Sequence, residues 1–242
     1  MHDPLADEPR SSGAAKHPVR PLDAAERRVL GVLIEKGKTT PDQYPLSLNA
    51  LVTGCNQKSN RDPVMSLDEE SASRALASLR QAGAVAEVFG SGKIPRYRHL
   101  AYEWLGVGKE ELAVIGELLL RGEQSEGDLR GRASRMDPIQ DLDTLRGHLD
   151  ALAARGLVVW LSPPGRGRML THGLLPAEKL EKVRTQLGMG STPSAAVEGR
   201  NESDAPAPRD DASSSGSLEQ RVADLEAALA DVRARLAELE SE

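Results

Sequence analysis

The chain of 242 residues carries one cysteine, Cys55. An internal disulfide is therefore excluded, and a cytoplasmic setting is expected. Aromatic residues are almost as scarce: Trp104, Trp160, Tyr44, Tyr97, Tyr102 and Phe89 make up the set. The core has to be built from Leu, Val, Ile and Ala, which suits small helical domains. No apolar run approaches the ~20 residues that cross a bilayer, so no membrane partner is expected. Residues 1–20 lack the apolar centre of a signal peptide. They are also too polar to offset the entropy of ordering, and are expected to be disordered.

An excess of positive charge is missing too. The net charge is −6, but it is unevenly placed. Residues 21–104 hold 11 Lys/Arg against 10 Asp/Glu, and residues 105–189 hold 12 against 12. The deficit lies in residues 190–217, at −3, and 218–242, at −4. The folded part is thus neutral, without the strongly basic face common in nucleic-acid binders.

What is present is a repeated order of elements. Asp23 with Glu26 forms a capping-box pattern, and Val29, Leu30, Leu33 and Ile34 share one helical face up to Gly37, a C-terminal stop. Thr40-Pro41 restarts a helix. Leu46–Val52 is apolar and runs into the polar stretch Asn56, Gln57, Lys58, Ser59, Asn60, Arg61 and Asp62, which reads as a short helix breaking into a turn at Asp62-Pro63. Ser66 with Glu69 predicts the cap of a third helix through Leu76 and Leu79 to Gly83. Residues 84–89 and 95–100 are strands about a turn at Gly90–Gly92. The order then recurs. Residues 110–121 form a helix, Ser125 caps a second, and Leu142, Leu145, Leu149 and Leu152 stripe a third. A hairpin follows, from Leu157 to His172.

Leu30, Gly31, Leu33, Gly37 and Thr40 match Ile115, Gly116, Leu118, Gly122 and Ser125 at an offset of 85. Leu76, Leu79, Gly83, Val85, Gly92 and His99 match Leu149, Leu152, Gly156, Val158, Gly165 and His172 at an offset of 73. The first copy is therefore longer by 85 − 73 = 12 residues, all between Thr40 and Leu76. Three helices and a hairpin describe a winged helix. The expected fold is mainly α with small β-hairpins (α+β). It comprises winged-helix domains at 21–104 and 105–189, a flexible linker at 190–217 and a coiled-coil helix at 218–242.

In that last segment Leu218, Val222, Leu225, Leu229, Val232, Leu236 and Leu239 alternate spacings of four and three, a heptad pattern that predicts a homodimer. A single amphipathic helix folding back on its own chain is the alternative.

The stretch Tyr44–Leu51 together with Cys55–Met65 resembles the signature of the YceH-like family of uncharacterised bacterial proteins. Leu118–Gly122 and Asp141-Leu142 look similar too. The resemblance covers roughly residues 21–175 and implies tandem winged helices. It implies no activity and no catalytic or binding residues.

No enzyme constellation is found, and neither a cofactor nor a metal site is expected. Cys55 lacks the second ligand or activating base that metal binding or nucleophilic chemistry requires. His99 and His172, at matching positions, suggest a repeated packing role. Gly90–Lys93 lacks the P-loop pattern and reads as a hairpin turn. If the protein binds DNA, as a transcriptional regulator would, the cations available are Lys93, Arg96 and Arg98 on the first wing, Arg166 and Arg168 on the second, Lys58 and Arg61 before the third helix, and Arg74 on it. Against this, the third helices open with Asp68, Glu69 and Glu70, and with Asp141 and Asp143, which repel phosphate. The alternative is a docking module for a protein partner in a chromosome-associated or regulatory assembly. For residues 56–62 both a structural turn network and a ligand or partner contact are open.

Overall fold

Paired helix starts order the molecule. The computed structural model describes residues 19–89 and 94–187. Helix α1 (Ala24–Thr39) begins at Asp23, whose carboxylate accepts from the Glu26 amide while Glu26 accepts from the Asp23 amide, both at 2.8 Å. This is the expected capping box. The helix does not stop at Gly37 but runs two residues further. Gly37 is needed small rather than left-handed: a Cβ there would lie 3.3 Å from His99 Nε2 and 3.4 Å from the Tyr44 ring.

Thr40-Pro41 starts only a single 3-10 turn, Pro41–Gln43. The chain then extends into β1 (Leu46–Ser47), and Ser47 caps α2 (Leu48–Cys55) through the Ala50 amide. The loop after α2 leads to α3 (Glu69–Gln81). Its cap is Asp68, accepting from the Ser71 amide, and not Ser66 as the sequence pattern predicted. Ser66 remains exposed ahead of the helix, since buried Leu67 sets where the chain turns in. Strands β2 (Val85–Phe89) and β3 (Pro95–His99) follow, then the short α4 (Ala101–Leu105).

The second copy comprises α5 (Lys109–Arg121), β4 (Gln124–Ser125), α6 (Glu126–Ala133), α7 (Leu142–Ala154), β5 (Val158–Trp160) and β6 (Met169–His172). Helix α8 (Ala177–Gln186) closes the described chain. The class is mainly α with small antiparallel sheets, as expected. Each sheet has three strands, ordered β1-β3-β2 and β4-β6-β5. The short first strands are additions to the expected hairpins. In β2–β3 Val85 faces His99, and in β5–β6 Val158 faces His172, so the registers coincide. Gly83 and Gly156 occupy the left-handed region, φ 76° and 70°, directly ahead of β2 and β5, a conformation that favours glycine.

The caps locate the extra length. Asp23 to Gly108 spans 85 positions, Ser47 to Ser125 spans 78, and Asp68 to Asp141 spans 73. Seven extra residues (85 − 78) thus precede α2 and five (78 − 73) follow it. The residue equivalent to Ser125 is Ser47, not Thr40.

Helices α1 and α5 form the most extensive helix contact. They approach through equivalent glycines: a Cβ on Gly31 would lie 3.0 Å from Leu120, and one on Gly116 would lie 2.8 Å from Ile34. Val29, Leu30, Leu33 and Ile34 join Leu112, Ile115, Leu118 and Leu120 in one apolar cluster. No helix among the described residues is long and apolar enough to cross a membrane.

Candidate functional site

The polar stretch after α2 is divided between solvent and the interior. Asn56, the C-cap of α2, both donates to the Leu67 carbonyl (2.8 Å) and accepts from the Leu67 amide (2.7 Å). That pair of bonds fixes the loop entering α3. Arg28 of α1, 2% exposed, reaches the carbonyls of Cys55 (3.0 Å) and Pro63 (2.6 Å) and ties the end of α2 to the interior of the same loop.

Arg61 corrects the sequence reading most sharply. Expected as a surface cation near DNA, its side chain is 0% exposed. It donates to the Glu35 carboxylate (2.5 and 3.3 Å), Gln57 Oε1 (3.0 Å), and the carbonyls of Gly54 (3.1 Å) and Asn60 (2.8 Å). A buried guanidinium needs that full set of acceptors, and with them met it has nothing to offer a phosphate. Burial acts to raise the Glu35 pKa, but the Arg61 bond and the charges of Arg61 and Arg135 overcome it and hold the group below its ordinary value.

The stretch also joins the two copies. The Asp62 amide donates to the Leu120 carbonyl of α5 (3.0 Å), and Arg121 donates to Asn60 Oδ1 (2.6 Å). Asn60 adopts φ 58°, a left-handed conformation that Asn tolerates. Arg135 lies between Glu35 (2.9 Å) and Glu117 (3.2 Å), and Lys38 pairs with Asp137. Glu117 and Arg121 meet at 3.1 Å, as an ion pair without hydrogen-bond alignment. Of the seven signature residues, Lys58, Ser59, Asn60 and Asp62 are exposed, Asn56 and Gln57 half-buried.

The predicted binding cations fare unequally. Arg96 and Arg98 are exposed on one face of β3, Arg96 donating to the Pro45 carbonyl (2.9 Å). Lys93 lies outside the described residues. Arg166 is exposed in the β5–β6 turn. Arg168 stacks on Trp160, 3.5 Å from the ring centroid, and its Nε donates to the Ser162 carbonyl.

On the third helices each described arginine is matched by a carboxylate. Arg74 pairs with Glu70, Arg80 with Glu87 (2.6 Å), and Arg146 with Glu126 and Asp143 (both 3.1 Å). Ser78 of α3 accepts from Arg20 (2.8 Å). Asp68 and Asp141 bind the amides of Ser71 and Thr144, which hold both carboxyls below their usual values. Glu69 and Asp143 stay exposed. Phe89 and Ile94, flanking the tip of the first hairpin, are 67% and 69% exposed.

Cys55 is buried, and burial pushes its thiol up to about 12, so it is held as a protonated core residue. His99 and His172 repeat one contact: Nδ1 accepts from the amide two residues on, Ala101 (3.3 Å) and Leu174 (3.2 Å). No group of three or more His, Cys, Asp or Glu placed to hold a metal occurs among the described residues. The heptad residues Leu218–Leu239 lie outside them, as do residues 1–18.

A family profile described as "Protein of unknown function, DUF480" matches residues 22–166. A UPF0502 protein of Rhodopirellula baltica is 54% identical over 184 residues, covering 74% of this chain and 78% of its own. A UPF0502 protein of Geobacter sulfurreducens is 49% identical over 160 residues, 65% of this chain and 73% of its own. One from Koribacter versatilis is 45% identical over 161 residues, 65% and 75% of the two chains. With its repeated fold and its signature loop inside the matched span, the chain belongs to the DUF480, or UPF0502, family of uncharacterised bacterial proteins.

Proposed function

We propose that each copy is a winged helix and that the pair is a non-enzymatic docking module for a protein partner. One observation carries this reading. The exposed faces of α3 and α7 bring no unmatched arginine, and their openings carry Asp68, Glu69 and Glu70, and Asp141 and Asp143. A helix laid in a groove meets phosphates first with its N-terminal residues. Carboxylates there repel DNA and attract a basic protein surface. Beside α3, the exposed Phe89 and Ile94 give the first hairpin an apolar end suited to a partner's pocket. The tail heptads would pair two copies and present the module twice.

DNA binding through the wings is the second reading. What favours it is that Arg96 and Arg98 share one face of β3 and, among the described residues, have no carboxylate partner.

A photo-crosslinking residue at position 89, introduced in cells, separates the two readings. A discrete protein adduct that disappears with Glu69→Lys plus Glu70→Lys is the expected result. No adduct, together with saturable binding of random duplex by anisotropy at about 50 mM salt, replaces docking with DNA. In that event changing Lys93, Arg96 and Arg98 to Ala weakens binding to all sequences alike, because phosphate contacts carry no sequence information.

A further inference from the structure

A cavity of about 320 Å³ lies at the far end of the second sheet, where the chain entering α1 meets α4. Its walls include Pro21, Trp104, Leu105, Leu157 and Leu174, with Arg155 at the rim. Small-molecule sites run from about 300 to 1,000 Å³ and are mostly apolar with a few placed polar groups. This cavity is at the small end of that range, and polar groups share its wall with the apolar side chains.

Two donors there are underused. Arg155 is exposed and donates to the Leu105 carbonyl; no carboxylate pairs with it among the described residues. Trp104 is 3% exposed, and its indole Nε1 has no hydrogen-bond partner among the described residues. Buried indole N–H groups ordinarily find one. The other guanidinium, Arg20, is balanced by Glu26 at 2.5 Å and also donates to Ser78. One uncompensated positive charge suits a monoanion and not a phosphate dianion. Backbone forms part of the wall: a Cβ on Gly173 would lie 1.8 Å from the Gly156 carbonyl oxygen, so no side chain fits between the two segments.

We propose that this cavity binds a compact monocarboxylate. Its carboxylate lies on Arg155, and its apolar body lies against the Trp104 indole, Pro21, Leu157 and Leu174. The exposed Arg155 side chain holds the anion, and the enclosed Trp104 Nε1 reports the ligand through the ring it packs on. The site shares no residue with the third-helix faces or the first wing, so it stands or falls independently of docking.

The test is a titration of the full-length ¹⁵N-labelled protein with sodium benzoate at constant ionic strength, following the two tryptophan indole resonances. Trp160→Phe, outside the cavity, assigns them. The Trp104 resonance is expected to shift saturably while that of Trp160 stays in place. The uncharged isostere benzamide and the variant Arg155→Gln are each expected to weaken binding about tenfold or more, as for loss of a charge-assisted hydrogen bond. Arg155→Lys retains part of the affinity, which separates charge from folding. A Trp104 resonance unmoved up to about 10 mM, where even a millimolar site saturates, overturns the proposal. So does a shift that benzamide reproduces or that Arg155→Gln leaves unchanged.

Discussion

Arg61 and the two histidines are polar groups enclosed by the fold, and enclosure gives them opposite electrostatic roles. Arg61 is enclosed together with its counter-charge, Glu35, and three further acceptors, Gly54, Asn60 and Gln57. The histidines lose their charge. Burial, with Lys38 and Arg98 nearby, lowers His99 to about 4; burial, with Arg27 nearby, lowers His172 to about 3. In the unfolded chain both protonate below their ordinary value of 6.5. Below that pH the unfolded state binds protons that the fold refuses, so the stability present above pH 6.5 declines toward pH 4. Each histidine contributes a slope of about 1.4 kcal/mol per pH unit. Urea titrations at a series of pH values should show this fall. The double change His99→Gln plus His172→Gln, which keeps an acceptor at each site, should flatten it. An unchanged slope would place the acid sensitivity in the carboxylates, Glu35 foremost.

Helices α1 and α5 show how an element's sequence serves both its own stability and its neighbour. Glycine in a helix interior costs about 1 kcal/mol relative to alanine. At Gly116 that cost is accepted because Ile34 occupies the space a Cβ would take, at 2.8 Å. Gly147, in the exposed part of α7, has nothing within 4 Å of its Cβ position. The two positions therefore respond oppositely. Gly147→Ala should stabilise by up to about 1 kcal/mol through propensity alone. Gly116→Val should destabilise by about 1–3 kcal/mol, since the added atoms drive α1 and α5 apart. Thermal or urea melts of both variants check the pair, and equal signs would show that the helices do not meet at these glycines.

For the whole molecule, the proposed assembly is a pairing of two tails. The unbroken series Leu218, Val222, Leu225, Leu229, Val232, Leu236 and Leu239 supports a two-stranded seam. Removing residues 212–242 should halve the solution mass measured by light scattering. Leu229→Asp should do the same, because it places charge in a dry contact. A dimer that survives truncation transfers the interface to the folded copies. An intact chain that is monomeric removes dimerisation, and with it the doubled presentation of the docking face. Within one chain, Arg121–Asn60, Arg135–Glu35 and Lys38–Asp137 already tie the copies together.

The sequence by itself determined the order of the main helices and hairpins, the internal repeat and most of the core, but not the short strands β1 and β4 or helices α4 and α8. Those features follow from local rules: the 3.6-residue period of Val29, Leu30, Leu33 and Ile34, the Asp23–Glu26 box, and the left-handed stops at Gly83 and Gly156. Such signals act within a turn or two of chain and can be read along it. Where two local signals competed, reading them failed. Ser66 and Asp68 both cap well, and Leu67 decided between them by turning into the core. Only the tertiary structure decided which polar residues face inward. Arg61 and Lys58 are both basic residues in one polar run, yet Arg61 is buried and Lys58 exposed. The difference lies in Glu35, 26 positions away, and in the contact with α5. A charged side chain is enclosed only where distant chain supplies its counter-charge and acceptors, and no local pattern records that meeting.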